Sequence, residues 1–106
     1  MSQWIEISML AALIDGDYKR FEFDDIDVLL FREGGNLYAI EDLCTHDGAE
    51  LCGGLYTNGE IECPRHGARF CVKTGQALSA PAYGQVSTFP VRVNDQGTVE
   101  IQLTVD

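Results

Sequence analysis

Two short runs carry donor atoms at a spacing suited to holding metal. Cys44-Thr45-His46 and Cys63-Pro64-Arg65-His66 each place one thiol and one imidazole within a tight loop, with 16 residues between His46 and Cys63. A cysteine two or three positions from a histidine lets one turn aim both side chains at one centre. Two such loops facing each other supply two sulfur and two nitrogen ligands, a set that both zinc and a [2Fe-2S] cluster accept. A single zinc ion usually draws on C-x2–4-C and H-x3–5-H pairs. Here Cys and His alternate along the chain, which suits two metals, one taking both sulfurs and the other both nitrogens. With both histidines in these pairs, no imidazole is left for a catalytic triad, a general base or a 2-His-1-carboxylate iron site. No glycine-rich nucleotide fingerprint is present either.

The elements that must position these loops read as strands. Segments rich in β-branched and aromatic residues recur at 3–7, 18–23, 27–32, 36–40, 85–93 and 98–105, so the expected class is all-β. Gly34-Gly35-Asn36 and Asn94-Asp95-Gln96-Gly97 are hairpin connectors, because Gly and Asn accept the positive φ of tight reversals. Residues 8–14 form either a short helix with Ser8 as its N-cap or a loop that drops Leu10 and Leu13 into the core. Between 43 and 81 the chain holds all four Cys, both His, two of the three Pro and six Gly, so ligand-bearing loops are inserted between β elements. Without a repeat, linker or low-complexity tract, the 106 residues are expected to form one domain.

Seventeen acids against seven Lys plus Arg give a formal charge of −10, which disfavours nucleic acid and favours a partner with a basic docking face. Glu41, Asp42, Asp47, Glu50, Glu60 and Glu62 crowd 41–62 with no base among them; of these, Glu41, Asp42 and Glu50 are candidate docking residues. No apolar run approaches the roughly 18 residues of a membrane span. The expectation is a cytoplasmic protein whose cysteines are thiols or metal ligands.

C-T-H followed after 16 residues by C-P-R-H-G resembles the Rieske [2Fe-2S] motif, and the resemblance extends over essentially the whole chain. It implies that Cys44 and Cys63 bind one iron and that His46 and His66 bind the other through Nδ1. It also implies a small β-sandwich with an inserted cluster-binding subdomain at about 43–82. Gly67 matches the glycine after the second histidine, and Ala80-Pro81-Ala82 resembles the proline-containing loop that covers the cluster. Thr45, Asp47, Gly48, Gly67 and Pro81 are expected to shape the loops around the ligands.

High-potential members of the family clamp their loops with a disulfide at the positions of Ala49 and Arg65, so that clamp is absent here. Cys52 and Cys71 are then either a substitute disulfide or two small packed side chains. The same relatives carry hydroxyl donors at the positions of Ala68 and Phe70. Fewer donors to sulfur lower the potential, toward the bottom of a range of about −150 to +300 mV. Cys63–Gly75, reading CPRHGARFCVKTG, resembles the ferredoxin components of aromatic-ring-hydroxylating dioxygenase systems of biphenyl, naphthalene and carbazole type. The resemblance implies a monomeric one-electron carrier between a flavoprotein NAD(P)H-dependent reductase and a terminal non-haem iron oxygenase, not catalytic by itself. A small subunit of nitrite reductase, a ferredoxin for iron–sulfur assembly, and a structural zinc or redox-sensing module are the alternatives.

Overall fold

The computed structural model describes residues 3–23, 26–43, 50–65, 67–79 and 84–103. Among the described residues, ten strands make three antiparallel sheets. An outer sheet orders β1 (Gln3–Met9), β10 (Thr98–Leu103) and β9 (Val91–Val93). A central sheet orders β2 (Asp17–Glu22), β3 (Asp27–Glu33), β4 (Asn36–Glu41) and β8 (Thr88–Phe89). A small sheet orders β5 (Tyr56–Thr57), β6 (Glu60–Glu62) and β7 (Arg69–Cys71). The all-β expectation holds among the described residues, where the helical element is one 3₁₀ turn, Leu10–Ala12.

The central sheet is covered on both faces at β3, which explains the unbroken apolar run there. Val28 and Leu30 point to one side and pack with Leu13, Ala39, Val99 and Ile101 against the outer sheet. Leu29 and Phe31 point to the other and pack with Ile40, Leu51, Ile61, Phe70 and Val72 against the small sheet. All four of these β3 side chains are fully buried, as period-two alternation requires of a strand with a layer on each face.

Three segments differ from the sequence reading. Ser8 lies within β1 and caps nothing; its hydroxyl donates to the Met9 carbonyl, and the 3₁₀ turn has no side-chain cap. Leu13 is buried and Leu10 packs at the margin of the same core. The segment 85–93 is two strands in different sheets, because Pro90 has no N–H to give a continuous ladder: Phe89 pairs with Ala39 and Val91 with Ile101. The small sheet lies inside the segment read as loop. Its β5–β6 turn is Asn58-Gly59, both at positive φ (51° and 82°), the geometry of a two-residue hairpin.

Candidate metal centre

The small sheet presents the second ligand loop. Glu62 pairs with Arg69, and the chain reverses between them. The reversal is closed by Cys63 N–H donating to the Ala68 carbonyl (2.7 Å) and Gly67 N–H donating to the Cys63 carbonyl (2.9 Å). Gly67 sits at φ +74°, a conformation that strains an L side chain and so explains the glycine after the expected ligand position. Pro64 and Arg65 are exposed at the tip, whereas Cys63 is 1 % exposed and packs with Ile61, Ala68 and Phe70. His66 lies outside the described residues.

The first ligand loop leaves β4 and returns at Leu51. Cys44, Thr45, His46, Asp47 and Gly48 lie outside the described residues, but both ends of the loop are placed. Leu51 is buried in the same core as Cys63, and Glu62 N–H donates to the Leu55 carbonyl (2.9 Å). The chain returning from the first loop therefore runs along the strand that leads into the second. Gly54 permits this approach, since a Cβ there would collide with the Glu62 carbonyl oxygen. The sequence signal for this contact is the glycine pair Gly53-Gly54 between the two ligand runs. Residues 78–79 lie on the far edge of the hairpin, where Leu78 N–H donates to the Arg69 carbonyl (2.7 Å) and Arg69 N–H donates to Ser79 Oγ (3.0 Å). They lead into 80–82, the expected covering loop with Pro81, which is outside the described residues.

Of the candidate docking acids, Glu50 is exposed and Glu41 half-buried, but Asp42 is not a surface residue. Its side chain is fully buried and engaged by Arg20 and by the amides of Leu51 and Cys52. The expectation that Asp42 faces a partner is therefore corrected, since a carboxylate bonded on both oxygens inside the protein has nothing left to offer outside.

Cys52 and Cys71 are free thiols, half-buried, so the substitute disulfide is absent. Burial, with the Asp42 charge beside it, pushes the Cys52 thiol up. Burial also opposes ionisation of Cys71. There the Thr74 hydroxyl, the backbone amides of Thr74 and Lys73 and the Lys73 charge outweigh it and bring the thiol below its usual value.

The residues described fit an iron–sulfur group. Cys63 is an unlinked thiol held inside a closed turn, a soft sulfur donor of the type an iron–sulfur group takes. Ala68 and Phe70, both fully buried beside it, carry no side-chain donor.

Residues 3–90 match the family described as Rieske [2Fe-2S] domain. The chain is 37% identical over 93 residues to the ferredoxin component of the naphthalene 1,2-dioxygenase system of Pseudomonas putida, covering 88% of this chain and 89% of that one. It is 40% identical over 95 residues to the 3-phenylpropionate/cinnamic acid dioxygenase ferredoxin subunit of Shigella flexneri, covering 89% and 88%. The fold superposes on the ferredoxin of carbazole 1,9a-dioxygenase from Nocardioides aromaticivorans with a TM-score of 0.86 at 32% identity, covering 92% and 95% of the two chains. A nitrite reductase small subunit from Mycobacterium tuberculosis, described as putative and NADH-dependent, has a TM-score of 0.84 at 23% identity over 100% of this chain and 99% of that one, a likeness of fold alone.

Proposed function

Because the chain belongs to the Rieske [2Fe-2S] domain family, we propose that it is the ferredoxin of a multicomponent dioxygenase system. It accepts single electrons from a flavoprotein reductase that oxidises NAD(P)H and delivers them to a terminal non-haem iron ring-hydroxylating oxygenase. The observation that carries this reading is the match along nearly the whole of relatives named as ferredoxin components, 88% of this chain and 89% of the relative. One structure on which the chain superposes, with a TM-score of 0.87, is described as a complex of reduced oxygenase and oxidized ferredoxin in carbazole 1,9a-dioxygenase, which supports an oxygenase as one partner.

In this reading Cys44 and Cys63 hold one iron and His46 and His66 the other, and the bound group supplies a reversible one-electron store. The protein's own residues set the conditions around it. Ala68 and Phe70 withhold hydroxyl donors, which favours the oxidised form and a potential at the low end of the family's range. The charge of −10 opposes the added electron and steers the carrier toward basic faces on both partners, so that brief encounters serve in place of a large apolar interface. The exposure of Glu50, next to the first ligand loop, supports that role for it. We further place the carrier in the cytoplasm as a monomer, free to present one tip to two partners in turn.

Reconstitution tests the proposal. With a reductase and terminal oxygenase of this class, product formation should depend on added protein, and transfer should slow as ionic strength rises. Equal product with the protein omitted would overturn the carrier role, and rates indifferent to salt would overturn the electrostatic docking.

A further inference from the structure

We propose that Asp42, tied to Arg20, is a positioning residue that ties together the two ends of the segment carrying Cys44 and His46, so that the hold on the bound group depends on it; the inference rests on the ligand assignment above. Asp42 is the one buried charged residue among the described residues. Its two carboxylate oxygens are used separately. Oδ1 accepts N–H bonds from Leu51 (2.6 Å) and Cys52 (2.9 Å), while Oδ2 accepts from Arg20 Nε (2.8 Å). Its own N–H donates to the Asp27 carbonyl (2.8 Å), which fixes the residue to the central sheet at the point where the chain departs. A single side chain at the start of the loop therefore grips the backbone at its end.

The edge strand β2 backs this latch with two side chains on one face. Arg20 reaches Asp42 before the loop and, more loosely, Glu50 after it (3.8 Å), with Glu22 (2.6 Å) and Asp27 (2.9 Å) completing its partners. Tyr18, two residues earlier, accepts Gly53 N–H (3.0 Å) at its hydroxyl and donates to the Gly54 carbonyl (2.8 Å). No other residue type at 42 reproduces the arrangement. An Asn side chain has one acceptor oxygen for the two amides and would turn an NH₂ toward the Arg20 donor, and a longer Glu would overreach the amides. A carboxylate in this place, shielded from solvent, costs desolvation that three charge-assisted bonds offset, and it joins the residue before the loop to the residues after it.

The test compares Asp42→Asn and Arg20→Lys with Val99→Ala, a core change against the outer sheet that touches neither loop. Electron paramagnetic resonance of the reduced protein, iron release to a ferrous chelator well below each melting temperature, and hydrogen exchange at Leu51 and Cys52 are recorded for all. Asp42→Asn is expected to broaden and shift the g-values, to release iron about tenfold faster or more and to lose protection at both amides. Arg20→Lys, which keeps the charge but not the fork, should fall between it and the parent. Val99→Ala should lower the melting temperature with spectrum and release unchanged. A parental spectrum, release rate and amide protection in Asp42→Asn would overturn the latch, as would equal changes in Val99→Ala. A parent protein without a mixed-ligand spectrum would overturn the ligand assignment instead; amide protection that persists in Asp42→Asn would then still refute the latch, and its loss would support the tie between the two ends.

Discussion

Replacing Gly54 by Ala probes the contact that brings the two ligand loops together. A Cβ at this position meets the Glu62 carbonyl oxygen, with the Leu51 oxygen at 3.0 Å and the Glu62 carbonyl carbon at 3.1 Å. All three are backbone atoms, so no side chain can rotate to make room. Relief requires the returning chain to move off β6, which breaks the Glu62 to Leu55 bond (2.9 Å) and loosens the Tyr18 hydroxyl from the Gly54 carbonyl (2.8 Å). Two lost bonds at about 1 kcal/mol each add to overpacking of about 1–3 kcal/mol. A smaller unfolded-state entropy for Ala returns about 0.4–1 kcal/mol. The net expectation is a loss of about 2–4 kcal/mol, or roughly 10–20 °C in melting temperature for a domain of this size. Urea unfolding followed by far-ultraviolet circular dichroism measures it. Gly35→Ala is the matched control, because nothing lies within 4 Å of its Cβ and its φ is ordinary; it should stay within about 0.5 kcal/mol of the parent. A Gly54→Ala protein as stable as that control would refute the account of how the loops are apposed.

Gly75→Ala should be as damaging, since its Cβ would strike the Val86 carbonyl at φ +77°; parental stability would show that the 75–86 contact is looser than described. Phe70→Ala removes a fully buried ring beneath Cys63 and should cost about 3–5 kcal/mol, whereas Leu55→Ala, 68 % exposed, should cost under about 0.5 kcal/mol; urea midpoints that did not separate them would contradict the assigned core. Burial raises the Tyr18 and Tyr56 phenols, Tyr56 further through its bond to Glu33 (2.6 Å). A raised folded value favours the neutral phenol, so this stability is complete below about pH 10 and is lost as pH rises beyond it. Tyr56→Phe should accordingly lose less stability than the parent on going to higher pH, and identical alkaline slopes would count against it. At pH 8 iodoacetamide should modify Cys71 before Cys52, because the hydrogen bonds around Cys71 favour its thiolate while burial and Asp42 disfavour that of Cys52. Peptide mass spectrometry reads the order, and the reverse order would be incompatible with these surroundings.

Much of the fold was legible wherever an element was long enough to carry a pattern. The continuous run Val28-Leu29-Leu30-Phe31 announces a strand covered on both faces, and Val99 and Ile101 alternate with polar neighbours on β10. The small sheet escaped because its strands are two or three residues long, too short for periodicity to register. Local signals did exist there: Asn58-Gly59 is a two-residue hairpin pair, and Glu60-Ile61-Glu62 and Arg69-Phe70-Cys71 each place one buried residue between two that face outward. The proposed ligands are read from residue type and spacing, and of the four Cys63 alone lies among the described residues. The role of Asp42 was not legible in this way. An ion pair between buried Asp42 and half-buried Arg20, 22 positions away, comes from strand pairing that brings β2 beside the loop, and in the sequence Asp42 is indistinguishable from the surface acids around it.

In the proposed site two thiolates and two imidazoles on these loops hold one [2Fe-2S] group. A low-temperature electron paramagnetic resonance spectrum of anaerobically purified, dithionite-reduced protein tests it most directly. Mixed thiolate and imidazole ligation should give a rhombic one-electron signal whose average g lies distinctly below that of all-thiolate [2Fe-2S] proteins, moving toward the all-thiolate form in His66→Cys. A silent spectrum from protein holding one zinc per chain would contradict it, and the electron-carrier reading would fall with it.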